Sequence, residues 1–263
     1  MERVGVFPFG QPVLASAQED RTAKRVFVLS APASAVYARW FGADGRQRIG
    51  AVAVASEPEM IWRGSRDAVR DIVAAITLPA HAGRLEPASM QLNGPSGMAL
   101  DDQFLDPLGL TRDEAWLCEL VPHSCRSEKQ SLALQREYDP VRDALGLPAY
   151  EWPRLPRELV DPDRRAEIER DLLESGAEVL VTLGEQPLEW FAQHYGAAAE
   201  LSSYGRTPVE YGILHPLTVA GRKLWLLPLV HPRQVARPGN HPTGWSELHA
   251  AWVGSRLPGT TIG

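Results

Sequence analysis

The chain has 263 residues, 44% apolar and 23% charged, with a formal net charge of -6 at pH 7. That is room for one large domain or two small ones at ordinary globular composition, which excludes a disordered or fibrous chain, and the charge argues mildly against a generic nucleic-acid binder. Two cysteines, Cys118 and Cys125, are too few for a disulfide framework or a four-thiolate iron–sulfur cluster; with no apolar run near the ~18 residues of a membrane span and no signal-peptide core, a cytoplasmic protein with no membrane partner is expected.

In chain order, residues 25–29 form a short apolar, β-branched run closed by Ser30-Ala31-Pro32, which predicts a buried strand. Residues 50–55 (GAVAVA) predict a second strand, and Val69, Ile72, Val73 and Ile76 fall at helical spacing across 66–76. Residues 98–105 read as a short helix, and 115–121 as a strand stopped by Pro122. The stretch 137–163 is rich in proline and charge, and reads either as a linker or, more in keeping with the little chain that follows, as a long surface connection across one domain. Asp161-Pro162 is a helix start, an N-cap followed by proline at the first helical position, and Ile168 and Leu172 give the helix its apolar face. Residues 178–183 predict a strand running into Gly184, and 187–195 a helix. A hairpin turn at 218–223 leads into the last strand, 224–230, and Trp245, Leu248, His249 and Trp252 mark a final helix.

Strands alternating with helices predict an α/β fold with a mostly parallel sheet. Ligands of such sheets sit beyond the carboxyl ends of the strands. The search for function therefore narrows to four loops: Ser30 to Ser34, Glu119 to His123, Gly184 to Pro187, and His231 to Gln234. His231 follows an almost wholly apolar strand; it can donate a hydrogen bond or shuttle a proton there, or serve as a loop histidine satisfied by backbone. His123 ends another strand, with a structural role the plainer reading. His81, His194, His215 and His249 carry no spacing signal. No zinc-protease, Cys-x-x-Cys, phosphate-loop, dinucleotide or nucleophile-elbow motif is present, so neither a metal nor any other cofactor is expected. Residues 93–97, Asn-Gly-Pro-Ser-Gly, make a turn before a helix that can cradle a phosphate or simply cap.

Taken together, these loops resemble the motifs of the uracil-DNA glycosylase superfamily, over residues 25–125 and 165–240. Val26 to Ala33 is similar to its first motif, a strand ending in small-x-Pro-small; Leu92 to Gly97 to the turn that follows; Trp116 to Cys125 to the strand whose Asn reads the base. Val179 to Gly184 resembles the next strand and its glycine, and Leu227 to Pro232 the His-Pro motif that enters the minor groove. The resemblance implies a single three-layer α/β/α domain over 1–263, built on a mostly parallel four-stranded sheet with an insertion at about 42–90. It implies a monomer that binds double-stranded DNA, flips a nucleotide out and hydrolyses its N-glycosidic bond. His231 would donate to the leaving base. Ala31, Pro32, Leu92, Asn93 and Glu119 would line the base pocket. Ser34, Gly94, Ser96 and Gly184 would meet the DNA from the loops, as would Pro232, Arg233, Gln234 and Arg237 of the second motif.

Three departures from the family pattern shape the expectation. Ala31 stands where an acid or amide usually positions water, although one branch of the superfamily also carries Ala-Pro-Ala; Glu57 or Glu59 could substitute, with surface carboxylates the plainer reading. Leu92 replaces the stacking aromatic. Glu119 replaces the base-reading Asn. A carboxylate is acceptor-only, so it opposes uracil O4 and suits the N4 amino group of a cytosine. The resemblance therefore implies a modified cytosine, such as the glucosylated 5-hydroxymethylcytosine of phage DNA, as the base removed in anti-phage defence; the insertion, with Trp40, Trp62 and Arg63 at hand, would line a wider pocket for the sugar, or merely packs on the domain edge. The alternatives are excision repair of uracil or another deaminated base, and a catalytically silent DNA-binding module.

Overall fold

A computed structural model describes residues 1–236 and 244–256. Its strands are β1 Glu2–Val6, β2 Pro12–Ala15, β3 Val26–Ser30, β4 Ala35–Phe41, β5 Gln47–Ser56, β6 Arg84–Pro87, β7 Ala115–Glu119, β8 Val179–Leu183, β9 His215–Val219 and β10 Arg222–Leu229. Its α-helices are α1 Arg66–Ala74, α2 Pro95–Ala99, α3 Glu128–Glu137, α4 Pro162–Glu174, α5 Glu185–Trp190, α6 Pro232–Ala236 and α7 Trp245–Ser255; a π-helix spans Leu100–Leu105. The chain is mixed α/β, and no helix among the described residues is long and apolar enough to cross a membrane. It divides into two compact units: residues 1–16, 33–95 and 122–157 make the first, and 17–32, 96–121 and 158–263 the second.

The first unit holds the β1–β2 hairpin and a three-stranded antiparallel sheet in the order β5-β4-β6. The GAVAVA strand is therefore an antiparallel strand of this sheet, not a member of a parallel one. β4 shows why: Val36, Ala38 and Trp40 are buried while Tyr37, Arg39 and Phe41 face outward, the period of two of a one-sided sheet. Outward, Phe41 carries the guanidinium groups of Arg39 and Arg84 at 5.8 and 4.7 Å from its ring centre. Inward, Trp40, Phe9 and Tyr138 meet ring to ring at 5.2 to 5.8 Å, and Trp40 donates its indole N–H to Ala82 O at 2.8 Å. Tyr138, Leu147 and Trp152 are buried in this core, so the proline-rich stretch is part of the unit's interior rather than a surface connection. Trp40 is fully buried, which removes it from any open pocket wall. Residues 42–90 lie in this unit and supply all of β5, α1 and β6.

The second unit is built on a five-stranded sheet in the order β7-β3-β8-β10-β9. The first four strands are parallel, in register Ser30↔Glu119, Leu29↔Thr182 and Leu183↔Leu229, and β9 closes one edge antiparallel to β10. Four strands are expected from sequence; the fifth arises because 215–219 pairs back across the Ala220-Gly221 turn. β3, β7 and β8 are buried along their whole length, which is why they read as unbroken apolar runs. The two prolines of the β9–β10 hairpin sit where no ladder bond is lost. Trp225 N–H donates to Glu178 O at 2.9 Å, so the β10 positions flanking Trp225 turn their N–H groups toward β9. Pro228 has the same parity and lies past the last β9 pair, Leu226↔His215. Pro216, opposite Trp225, points its missing N–H to the outer edge, where it blunts further strand pairing.

Candidate functional site

The parallel register sets the carboxyl ends of β7, β3, β8 and β10 along one edge. The connection after β3 leads to β7 on one side, and that after β8 leads to β10 on the other. The loops Ala31-Pro32 and Gly184-Glu185 therefore flank a topological switch point, where doubly wound sheets leave their ligand crevice. Glu119 stands beyond β3 on one side and His231 beyond β8 on the other. With three strand spacings between them, the backbones of Glu119 and Leu229 are roughly 14 Å apart, a gap that two side chains and a base can bridge.

His231 is oriented by its own loop. Pro232 opens α6, as proline prefers at a first helical position. The His231 N–H donates to Gln234 Oε1 at 3.2 Å, and Arg233 N–H donates to His231 Nδ1 at 3.1 Å. His-Pro-Arg-Gln is thus a reciprocal helix cap, the His231 ring accepting from the second helical residue and the Gln234 side chain from the His231 N–H. Because Nδ1 accepts, the ring is neutral and its single proton sits on Nε2. The ring packs on Gly184, whose φ is 90° and where an added Cβ would fall 3.0 Å from His231 Cβ. Arg233 is exposed and Pro232 buried. Arg237 lies outside the described residues.

Glu119 is 5% exposed. Its place is set by Arg164 in the first turn of α4, whose Nη2 donates to Glu119 O at 2.6 Å and whose Nε donates to Leu120 O at 3.1 Å. Arg164 thus binds the carbonyls left over where β7 stops pairing. Beside them the buried Cys118 thiol is pushed up to about 12 by desolvation, so it is not a nucleophile. Ala31 and Pro32 are half-buried and bring no proton-handling group to the edge. Thr182, one residue before the end of β8, is fully buried with no partner for its hydroxyl.

The remaining sequence candidates divide differently. Ser96 is half-buried in α2 and belongs to the second unit. Ser34, Leu92, Asn93 and Gly94 belong to the first, as do Glu57, Glu59 and His123. Asn93 is fully buried; its Oδ1 accepts from Tyr37 N at 2.8 Å, and its Nδ2 donates to Tyr37 O at 3.1 Å and Ala88 O at 3.4 Å. That amide is spent on the β4 backbone and is not offered to a base. Gly94 is required by a close approach, since at φ 81° a Cβ would fall 2.2 Å from Arg63 O. Glu57 accepts from Trp62 N at 3.4 Å, and His123 Nδ1 lies 3.3 Å from Ser124 O and 3.6 Å from Cys125 Sγ. Among the described residues no group of three His, Cys, Asp or Glu side chains is placed to hold a metal ion.

Sequence reading gave no role to Arg164 or Tyr211, and took His249 only as a marker of the last helix. Arg164 follows a recognised helix start, but nothing in the local pattern says that its side chain reaches back to β7. Compared with known families and with curated proteins, the chain matches no family model and no curated sequence.

Proposed function

We propose that the chain is a DNA glycosylase of the uracil-DNA glycosylase superfamily, acting on a modified cytosine of the phage type and leaving an abasic site. The observation that supports this most is the juxtaposition along one sheet edge: a neutral His231 with its proton on Nε2 after β10, and the carboxylate residue Glu119 at the end of β7. The four parallel strands, in the order β7-β3-β8-β10, carry the superfamily-like motifs at their carboxyl ends, in keeping with the resemblance.

In this reading a flipped nucleotide enters at the switch point. Glu119 accepts a hydrogen bond from the exocyclic N4 amino group. The C1′–N bond breaks with both electrons leaving on the base, and the sugar takes oxocarbenium character. His231 donates from Nε2 to the base oxygen that gathers the charge; a neutral donor needs no proton transfer to do so. Water adds to C1′ and loses a proton to solvent. Arg233 and the Gly184 loop meet the backbone phosphates, a local contact compatible with a net negative chain.

The test is a panel of duplexes carrying a single uracil, 5-hydroxymethylcytosine or its glucoside, treated with the protein and then with alkali. Scission at a modified cytosine supports the proposal. Scission at uracil alone points to deaminated-base repair and rejects Glu119 as reader. Binding without scission on any duplex points to a silent DNA-binding module.

A further inference from the structure

The loop that carries His231 is held from behind by a buried chain of hydrogen bonds. Val230 N–H donates to Tyr211 Oη at 2.9 Å. Tyr211 Oη lies 2.8 Å from His249 Nδ1, and His249 Nε2 lies 2.9 Å from Gln103 O. A backbone carbonyl only accepts, so His249 Nε2 carries the ring proton and Nδ1 is the acceptor. The Tyr211 O–H therefore donates a hydrogen bond to His249 Nδ1, and its oxygen accepts from Val230 N–H. The chain has one consistent direction, from Val230 through α7 to the π-helix.

Its setting is apolar. Tyr211 is 2% exposed and His249 fully buried. The rings of Phe104 and Trp252 lie 4.3 and 5.2 Å from that of His249, and Trp245 lies 6.2 Å from Tyr211. Burial lowers the His249 pKa to about 4 and raises that of the Tyr211 phenol, so both stay neutral near pH 7. Packing alone gives no reason for polar atoms here, since two phenylalanines would fill the same space. What the polar atoms add is a fixed position for one backbone amide, and that amide immediately precedes His231.

We infer that Tyr211 and His249 are positioning residues that set the His231 imidazole against the crevice. The consequence for turnover rests on the glycosylase reading; the consequence for the ring itself does not. The experiment uses the full chain, labelled with 15N, and the variants Tyr211→Phe, His249→Phe and both together, with Tyr204→Phe as a control that loses a hydroxyl bonded only to Ala198 O. In the wild type the His231 ring nitrogens should report the Nε2–H tautomer. Either single variant should move them toward a tautomer mixture, and the double variant should move them no further, because one chain is cut once or twice. On the best duplex substrate, kcat should fall by up to about 100-fold with KM changed less than twofold, as displacement of a reacting group predicts. The control should change neither.

His231 ring shifts that stay at wild-type values in both single variants would overturn the inference, as would additive losses in the double variant. If the wild type removes no base from any duplex, the glycosylase reading fails and the ring nitrogens alone decide the positioning role. Should Tyr211→Phe not fold, His249→Phe cuts the same chain at its next link and carries the same two readouts.

Discussion

At the scale of single residues, the candidate site depends on groups whose positions are fixed by hydrogen bonds to nearby backbone. His231 is capped at Nδ1, which leaves the proton on Nε2. Arg164 holds the two carbonyls at the end of β7 and so fixes where Glu119 emerges. Arg164→Met keeps the stem and strands both carbonyls; stability should fall by ~2 kcal/mol in urea denaturation, within the usual range for buried groups left unpaired. Thr182 makes the opposite case. Its buried hydroxyl has no partner, so Thr182→Val should hold or raise stability, by up to about 1 kcal/mol in the same assay. Residue placement was legible where the motif was local: His231 to Gln234 sit together, and their strand-end place follows from the apolar run before them. Asn93 was not, because its partners Tyr37 and Ala88 belong to strands and turns that the sequence does not announce.

At the scale of elements, the buried parallel strands were readable because both faces are covered and the runs are continuous. β4 was not, although Val36, Ala38 and Trp40 alternate with outward residues over seven positions, because the aromatics Tyr37 and Phe41 on the outward face blur its polarity. The β1–β2 hairpin is short and half-exposed, and gives little contrast in either period. The junction from β8 to α5 makes its own prediction. Gly184 combines a left-handed φ with contact to the His231 side chain, so Gly184→Ala should cost about 1–3 kcal/mol and push the imidazole outward, visible as a displaced His231 ring resonance. Retained stability with an unmoved ring would show that the contact carries no strain.

At the scale of the whole molecule, the division into two units was hidden because each is stitched from separated segments; the first draws on 1–16, 33–95 and 122–157. Composition averages over such a division, so a net charge of -6 does not say how charge is shared between the units. Stability should also depend on pH through the buried His249 and the half-buried His215. The His249 pKa is lowered from 6.5 to about 4 and that of His215 is lowered too, both by burial. The unfolded chain then binds protons that the folded chain refuses, so the stability present above pH 6.5 is lost as pH falls toward 4. His249 alone accounts for up to ~1.4 kcal/mol per pH unit in that window. The urea midpoint should fall from pH 7 to pH 4.5, and less steeply in His249→Phe; parallel slopes would place the proton uptake elsewhere.

The central claim, that His231 and Glu119 act together on a cytosine-type base, meets its most direct test in mass spectrometry of the base freed from a duplex with one glucosylated 5-hydroxymethylcytosine. The expected result is free modified base in step with abasic sites, greatly slowed in His231→Ala, with Glu119→Asn instead releasing uracil from a matched duplex that carries one uracil. Release that is unchanged in His231→Ala, or no release of any base by the wild-type chain, would contradict it.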